Sequence, residues 1–259
     1  MKLVTWNVNS LRARLSRVEE WIAANEPDVV LMQETKCTAA NFPAMAFTAL
    51  GYESAHHGAN QWNGVAILSR VGLEEPRLGF SDEQAGSPEE CRLISARCGG
   101  IHVFSAYVPN GRVVGSEHYV AKLRWLEHLR AELDARLTPT QPIAVCGDFN
   151  VAPEDRDVWD ITQFAGATHV TPEERAALRH VLDFGLEDAL RAYRPDEVGP
   201  FSWWDYRAGA FHKGWVMRID LALVSPPVLA RVVDATVDRD ARKGKLPSDH
   251  APMVLTLTD

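Results

Sequence analysis

Long apolar runs are missing from this chain of 259 residues. No stretch nears the roughly 20 apolar residues that a membrane-spanning helix needs. The opening "MKLVTWNVNS" lacks the sustained apolar core of an export signal. Both absences lead us to expect a cytoplasmic, prokaryotic-type protein with no targeting segment and no membrane partner. Cysteine is scarce as well. Cys37, Cys91, Cys98 and Cys146 show no C-x-x-C pairing, which excludes a disulfide-stapled secreted fold and leaves reduced thiols as the expectation. No low-complexity linker interrupts the chain, so one domain over residues 1–259 is expected. A surplus of positive charge is also absent: 27 Lys and Arg stand against 35 Asp and Glu, a net charge of −8. Nucleic-acid phosphates want cations. Net charge is a weak veto, however, because a metal-dependent enzyme gathers carboxylates in its site and basic residues on its rim. One basic gathering is visible in "RDARKGK", Arg239 to Lys245.

What the chain does contain is an alternation of short apolar runs with helical patterns. "KLVTW", "DVVLMQ", "GVAILS", "RLISARC", "IHVFSAYV", "PIAVCGDF", "RIDLALVS" and "MVLTLT" read as strands, most of them too apolar on both faces for an open surface. Leu11, Leu15, Val18 and Ile22 form a helical stripe after the cap candidates Asn9 and Ser10, and Leu123, Leu126, Leu129, Leu133 and Leu137 form another between Ser116 and Thr138. "TPEERAALRHVLDFG" supplies Thr171 as N-cap, Pro172 at the first helical position, Glu174 at N3 and Gly185 as a stop. The mixture predicts an α/β or α+β layered domain. The echo between "KLVTWNVNS" and "PIAVCGDFNVAP" suggests two sheets packed face to face with helices outside.

Polar residues collect at the strand ends. "WNVN" places Asn7 and Asn9 on one face, "LMQET" ends in Glu34, and "GDFN" places Asp148 and Asn150 together with Phe149 opposite. "RID" embeds Asp220 at the head of an apolar strand, which is costly unless the carboxylate is paired or metal-bound. Arg218 is one candidate partner. In "LPSDHAP", Pro247 and Pro252 argue for a turn before the last strand, so that Asp249 and His250 can face one cleft. Singly, each has an ordinary structural reading as a cap, turn former or surface group. Five polar strand ends in one chain point instead to a hydrolytic metal site. Oxygen donors without a thiolate cluster favour a hard ion, Mg²⁺ or Mn²⁺, over zinc, and such an ion beside a histidine and a spare aspartate suits phosphoryl transfer.

Taken in order, "TWNVNSLRAR", "QETK", "NGVAILSR", "YVPNG", "GDFNVAPEDRDVW", "THVTPEER", "FSWWDYR", "RIDLAL" and "SDHAP" strongly resemble the exonuclease III group of apurinic/apyrimidinic endonucleases, within the endonuclease/exonuclease/phosphatase superfamily that includes DNase I. The resemblance runs nearly from end to end. It implies a DNase I-like, four-layered sandwich of two packed mixed β-sheets flanked by helices, with the site at one end of the sheets. It implies that Asn7, Glu34 and Asp249 form the Mg²⁺ environment, that Asp148 orients or deprotonates the attacking water, and that Asn150 supports the transition state. His250 would bind the scissile phosphate while held by Asp220, with Tyr107 nearby. Asp148, Asn150 and His250 would hold a second ion where two are used.

The resemblance also implies a substrate: double-stranded DNA carrying abasic sites or blocked 3′ ends, cut 5′ to the abasic site or trimmed 3′ to 5′ by a monomer. Trp203 and Met217 would line the pocket for the flipped-out sugar. Arg112, Lys122 and the "RDARKGK" run are candidate phosphate contacts. Two other readings stay open: a phosphodiesterase or phosphatase on the same scaffold with another substrate, such as an inositol phosphate, a sphingolipid or RNA, and a non-catalytic DNA-damage binding module.

Overall fold

The computed structural model describes residues 1–82, 85 and 90–258. Its strands are β1 (Lys2–Asn7), β2 (Val29–Gln33), β3 (Glu53–His57), β4 (Val65–Ser69), β5 (Glu74–Leu78), β6 (Leu93–Cys98), β7 (Ile101–Tyr107), β8 (Ile143–Asp148), β9 (Glu187–Asp188), β10 (Asp220–Val224), β11 (Val232–Val237) and β12 (Met253–Leu257). Its α-helices are α1 (Leu11–Asn25), α2 (Ala44–Ala49), α3 (Glu117–Arg136), α4 (Pro172–Leu182), α5 (Ala189–Tyr193), α6 (Ala210–Lys213) and α7 (Pro226–Leu229). The strands make two six-stranded mixed sheets, ordered β11-β12-β1-β2-β4-β3 and β5-β6-β7-β8-β10-β9.

Alternation along each central strand explains the layering, since neighbouring residues point to opposite faces of a sheet. Leu3, Val29, Leu31 and Ile67 of the first sheet meet Ile94, Val103, Cys146 and Ala222 of the second in the central core. Their neighbours Val4, Trp6, Val30 and Met32 face the other way, onto Val18, Trp21 and Ile22 of α1 and Phe47 of α2. On the far side, Phe104 and Val145 pack against Leu126, Leu129 and Leu133 of α3 and Leu178 and Val181 of α4. The result is helix, sheet, sheet, helix, the expected four-layered sandwich. All four cysteines are free and buried. Among the described residues no helix is long and apolar enough to cross a membrane.

Each of the eight runs read as strands forms one, and together they are the four inner strands of each sheet. The four strands that escaped the sequence pattern, β3, β5, β9 and β11, are all edges. An edge strand has one open side and so carries polar residues that blur the period: every residue of β5, "EEPRL", is exposed. The helix caps are as expected. Ser10 accepts from Ala13 N, Ser116 accepts from Tyr119 N, and Thr171 and Glu174 form a reciprocal capping box.

The expected alternative pairing of Asp220 with Arg218 does not occur. Arg218 lies just outside β10, and its fully buried guanidinium donates to Asp157 from Nε (2.8 Å) and Nη2 (3.1 Å) and to Asp188 from Nη1 (2.6 Å). Arg191 closes on the same Asp157 carboxylate. Burial alone raises the pKa of Asp157, but Arg218 and Arg191 outweigh it and hold the carboxyl below its ordinary value. A group with a depressed folded pKa stabilises the fold above its unfolded pKa, about 4 for Asp, and that contribution is lost as pH falls through the folded value. Urea denaturation at pH 7 should therefore show Asp157→Asn to be less stable than the parent by about 3 kcal/mol, the cost of stranding a buried cation. The difference should shrink as the measurement is repeated into acid.

Candidate active site

Register alone assembles half of the site. In the second sheet Tyr107 pairs with Asp148 across β7 and β8, and Asp148 pairs with Asp220 across β8 and β10, so three ionisable side chains stand in one row at the strand ends. Gly147 permits this spacing: a Cβ there would lie 1.8 Å from Ala106 O. In the first sheet β1 ends at Asn7 beside Gln33, and Glu34 follows β2 in left-handed backbone geometry (φ 52°). Gln33 also ties the sheets together beneath the site, donating to Thr5 Oγ1 (3.0 Å) and Ser105 Oγ (2.9 Å).

Hydrogen bonds join the two sets. The Asn7 amide donates to Glu34 Oε1 (2.8 Å) and Asp148 Oδ2 (2.9 Å), bridging the two sheets. His250 Nδ1 donates to Asp220 Oδ2 at 2.8 Å, and its Nε2 faces Asp148 Oδ2 at 3.8 Å. Asn150, also left-handed (φ 51°), donates its backbone N–H to Asp148 Oδ1 (2.9 Å) and its side-chain amide to Val108 O (3.0 Å). Phe149 points away into the outer core, as the "GDFN" alternation requires.

The charges in this site are not balanced by solvent. Burial raises the Asp148 pKa to about 7, helped by Asp220 and Glu34 and opposed by His250. Burial disfavours the His250 imidazolium, yet Asp220 and Asp148 outweigh it and push its pKa up to about 10. Burial, then the charge of Glu34, holds the Tyr107 hydroxyl well above its ordinary value, so it stays a neutral donor.

A divalent ion fits this set. Donor atoms of Glu34, Asp148 and His250 lie within 4.8 Å of one another, and the second oxygen of Asp220 is buried without a hydrogen-bond partner. Two close carboxylates, one shared oxygen-rich cleft and an open side at half-buried Glu34 suit a hard cation. Asp249 lies outside that triplet. It accepts from Asn9 Nδ2 (2.8 Å) and from the Trp203 indole (3.2 Å). Burial raises its pKa, but His250 and those two hydrogen bonds leave it below the ordinary range. The turn at "PSDHAP" brings both neighbours to one cleft, with His250 against Asp220 and Asp148 and Asp249 on its flank.

Trp203 is half-buried, bridges by backbone to Met217 and His250, and packs with Met217, Val158 and Ile219 into a small apolar wall beside the histidine. Trp204 lies in the core. Arg112 is exposed, lining a cleft of about 670 Å³ with Trp62, Arg92, Tyr107, Asn110 and His118. Two cations offered as phosphate contacts, Lys122 and Arg242, are corrected, whereas Arg239, Lys243 and Lys245 are exposed. Lys122 is fully buried against Glu174. In "RDARKGK", Arg242 is buried, donating to Ser248 O and stacking toward Trp204, Tyr206 and Phe211, while Lys243 pairs with Asp240.

Other neighbours of the site escaped sequence reading. Lys36, in "QETK", pairs with Glu34 at 2.7 Å; Arg92 stacks over the Tyr107 ring at 4.5 Å; Asn110 donates to Asn150 Oδ1 at 3.1 Å. Lys36 and Asn110 sit inside quoted motifs, whereas Arg92 opens the strand run "RLISARC" with nothing local to mark its ring partner.

Comparison with known proteins agrees with this geometry. The model of the Endonuclease/Exonuclease/phosphatase family matches residues 4–250. Exodeoxyribonuclease III of Haemophilus influenzae is 33% identical over 98% of both chains. An AP endonuclease from Archaeoglobus fulgidus superposes with TM-score 0.95 at 38% identity over 99% of both chains. The 3′ phosphatase NExo from Neisseria, solved bound to a product DNA hairpin, superposes with TM-score 0.94 at 34% identity, covering 100% of this chain and 99% of that one. The chain belongs to the exonuclease III/AP endonuclease family of the endonuclease/exonuclease/phosphatase superfamily. It is a hydrolase of that type.

The Asp220–His250 pair yields a direct test. In metal-free protein, Asp220→Asn should lower the His250 pKa from about 10 toward the ordinary value near 6.5, read by NMR titration of the imidazole ring.

Proposed function

We propose that this enzyme is a Mg²⁺-dependent DNA-repair phosphodiesterase, acting as a one-domain monomer. It cuts duplex DNA 5′ to abasic sites, leaving a 3′-hydroxyl, and removes nucleotides or blocking groups from 3′ ends. The observation that carries this reading is the convergence of Glu34, Asp148 and His250 donor atoms beside the Trp203–Met217 wall. A hydrolytic centre adjoining a small apolar wall suits a sugar without a base, turned out of the helix. The DNA-bound Neisseria relative supports DNA as substrate.

Glu34 would hold the ion, with the Asn7 amide tying its carboxylate to that of Asp148; the ion would supply charge neutralisation at phosphate oxygens. Asp148, buried and with its pKa raised to about 7, is matched to taking a proton from water near neutral pH. The Asp220-held His250 imidazolium donates to a phosphate oxygen, and neutral Tyr107 and the Asn150 amide offer hydrogen bonds as charge builds there. Trp203, its indole anchored on Asp249, would offer its ring to the sugar.

Purified protein cutting a duplex with one abasic site tests the reading. EDTA should abolish cleavage and added Mg²⁺ restore it; metal-independent cutting would sink the proposal. Asp148→Ala should reduce turnover by roughly 10²–10⁴-fold while abasic DNA still binds. Trp203→Ala should weaken the preference for abasic over intact duplex by ~1–3 kcal/mol, the scale of one stacking contact, measured by competition binding.

A further inference from the structure

Lys122 is fully buried near the site, yet it touches neither the Glu34–Asp148–His250 cluster nor the surface. Its ammonium donates to Asn150 O (2.6 Å), to Glu174 Oε1, and to Asn110 O (3.3 Å) and Thr168 Oγ1 (3.4 Å). Three loops therefore close on one charge. Its stem lies under the Asn110–Gly111 turn, where a Cβ on Gly111 would come within 2.9 Å of Lys122 Cδ. Glu174 is saturated on the other side, accepting from Thr168 Oγ1 (2.7 Å), Thr171 N (3.1 Å) and Thr171 Oγ1 (2.9 Å).

The consequence lies at Asn150. Its carbonyl takes Lys122 and the His169 Nδ1 donor (2.5 Å), while its left-handed backbone aims the N–H at Asp148 Oδ1 and its side chain is held between Val108 O and the Asn110 amide. A left-handed residue persists only where its surroundings over-determine it. A charge-assisted bond to the carbonyl is the strongest such constraint on this turn.

We propose that Lys122 is a positioning residue for the hydrolysis described above: by anchoring the Asn150 carbonyl it sets the orientation of both the Asn150 amide and the Asp148 carboxylate. The inference rests on that functional reading for its kinetic test, but not for its structural one. Lys122→Met strands Glu174 and should lower the urea midpoint, so the informative protein is Lys122→Met with Glu174→Gln, which removes both buried charges together. The double variant should recover most of the urea midpoint yet keep kcat on abasic duplex roughly 10–100-fold down, the usual cost of losing a supporting partner, with KM within about threefold. In the metal-free protein its Asn150 amide should exchange with solvent roughly tenfold faster than in the parent. Recovery of kcat along with stability would reduce Lys122 to an ion-pair partner and overturn the proposal, as would parental exchange at Asn150. A parent enzyme inert on abasic DNA would instead defeat the functional reading, leaving amide exchange to judge Lys122.

Discussion

One row of residues across the second sheet, Tyr107 beside Asp148 beside Asp220, is the constraint from which the rest of the site follows. Adjacent strands stand about 5 Å apart, so the pairing forces ionisable groups together at the cleft end of a buried sheet. A slip of one residue in β8 would reverse every side chain, sending Asp148 into the outer core now filled by Phe149. The apolar residues along β8 therefore protect the chemistry, because the register that buries Val145 against α3 and Cys146 between the sheets is the same one that presents Asp148. The facing sheet then needs only to bring Asn7 and Glu34 to the same end, and the packing of the two sheets does so.

Crowding carboxylates in a dry place demands compensation, and the molecule meets that demand in two ways. Away from the cleft, the Asp157 and Asp188 carboxylates are answered by Arg218 and Arg191, in a network that staples the segment entering β10 to the loop after β8. Inside the cleft the answer is partial. His250 serves Asp220 directly and Asp148 only at 3.8 Å, while Lys36 takes Glu34 at the exposed edge. The raised pKa of Asp148 and the partnerless oxygen of Asp220 are two expressions of the same shortfall. A paired network leaves no charge seeking a partner, whereas a site left short of positive charge has affinity for a cation.

How much of this was legible in the sequence follows from where each residue sits. Inner strands are buried on both faces and announce themselves as apolar runs; edge strands such as "EEPRL" do not. The capping box at Thr171 and Glu174 is local chemistry with a fixed spacing, so it reads directly. The polar strand ends also read, because a carboxylate in or just after an apolar run is conspicuous. Long-range pairing of charges does not read. Lys122 looked like a surface cation on a helix, and its burial depends on Glu174, 52 residues away. Arg218 looked like a partner for Asp220, but the backbone turns before β10 begins and the guanidinium reaches Asp157, 61 residues away. Sequence proximity is a poor guide to ion pairing when topology brings distant loops to one end.

The loops at that end are held before any substrate arrives. Asn9, Glu34, Lys36 and Asn150 all have positive φ, a conformation that L residues with side chains adopt rarely. Such strain clusters where the surrounding structure fixes it, and here the fixing bonds are visible. Ser10 N donates to Glu34 O (2.7 Å), Lys36 N donates to Asn63 O (2.9 Å), and Phe149 N donates to Ile219 O (2.8 Å). Each bond runs from a strained turn, or its immediate neighbour, to a different strand or loop, so no turn relaxes without disturbing another element. Preset donors and acceptors need no reorganisation as charge develops on a phosphate, which is the main route by which a protein stabilises such a transition state. The strain at these four residues and the deep burial of the charges behind them therefore serve one end: a site whose geometry is settled by folding rather than by binding.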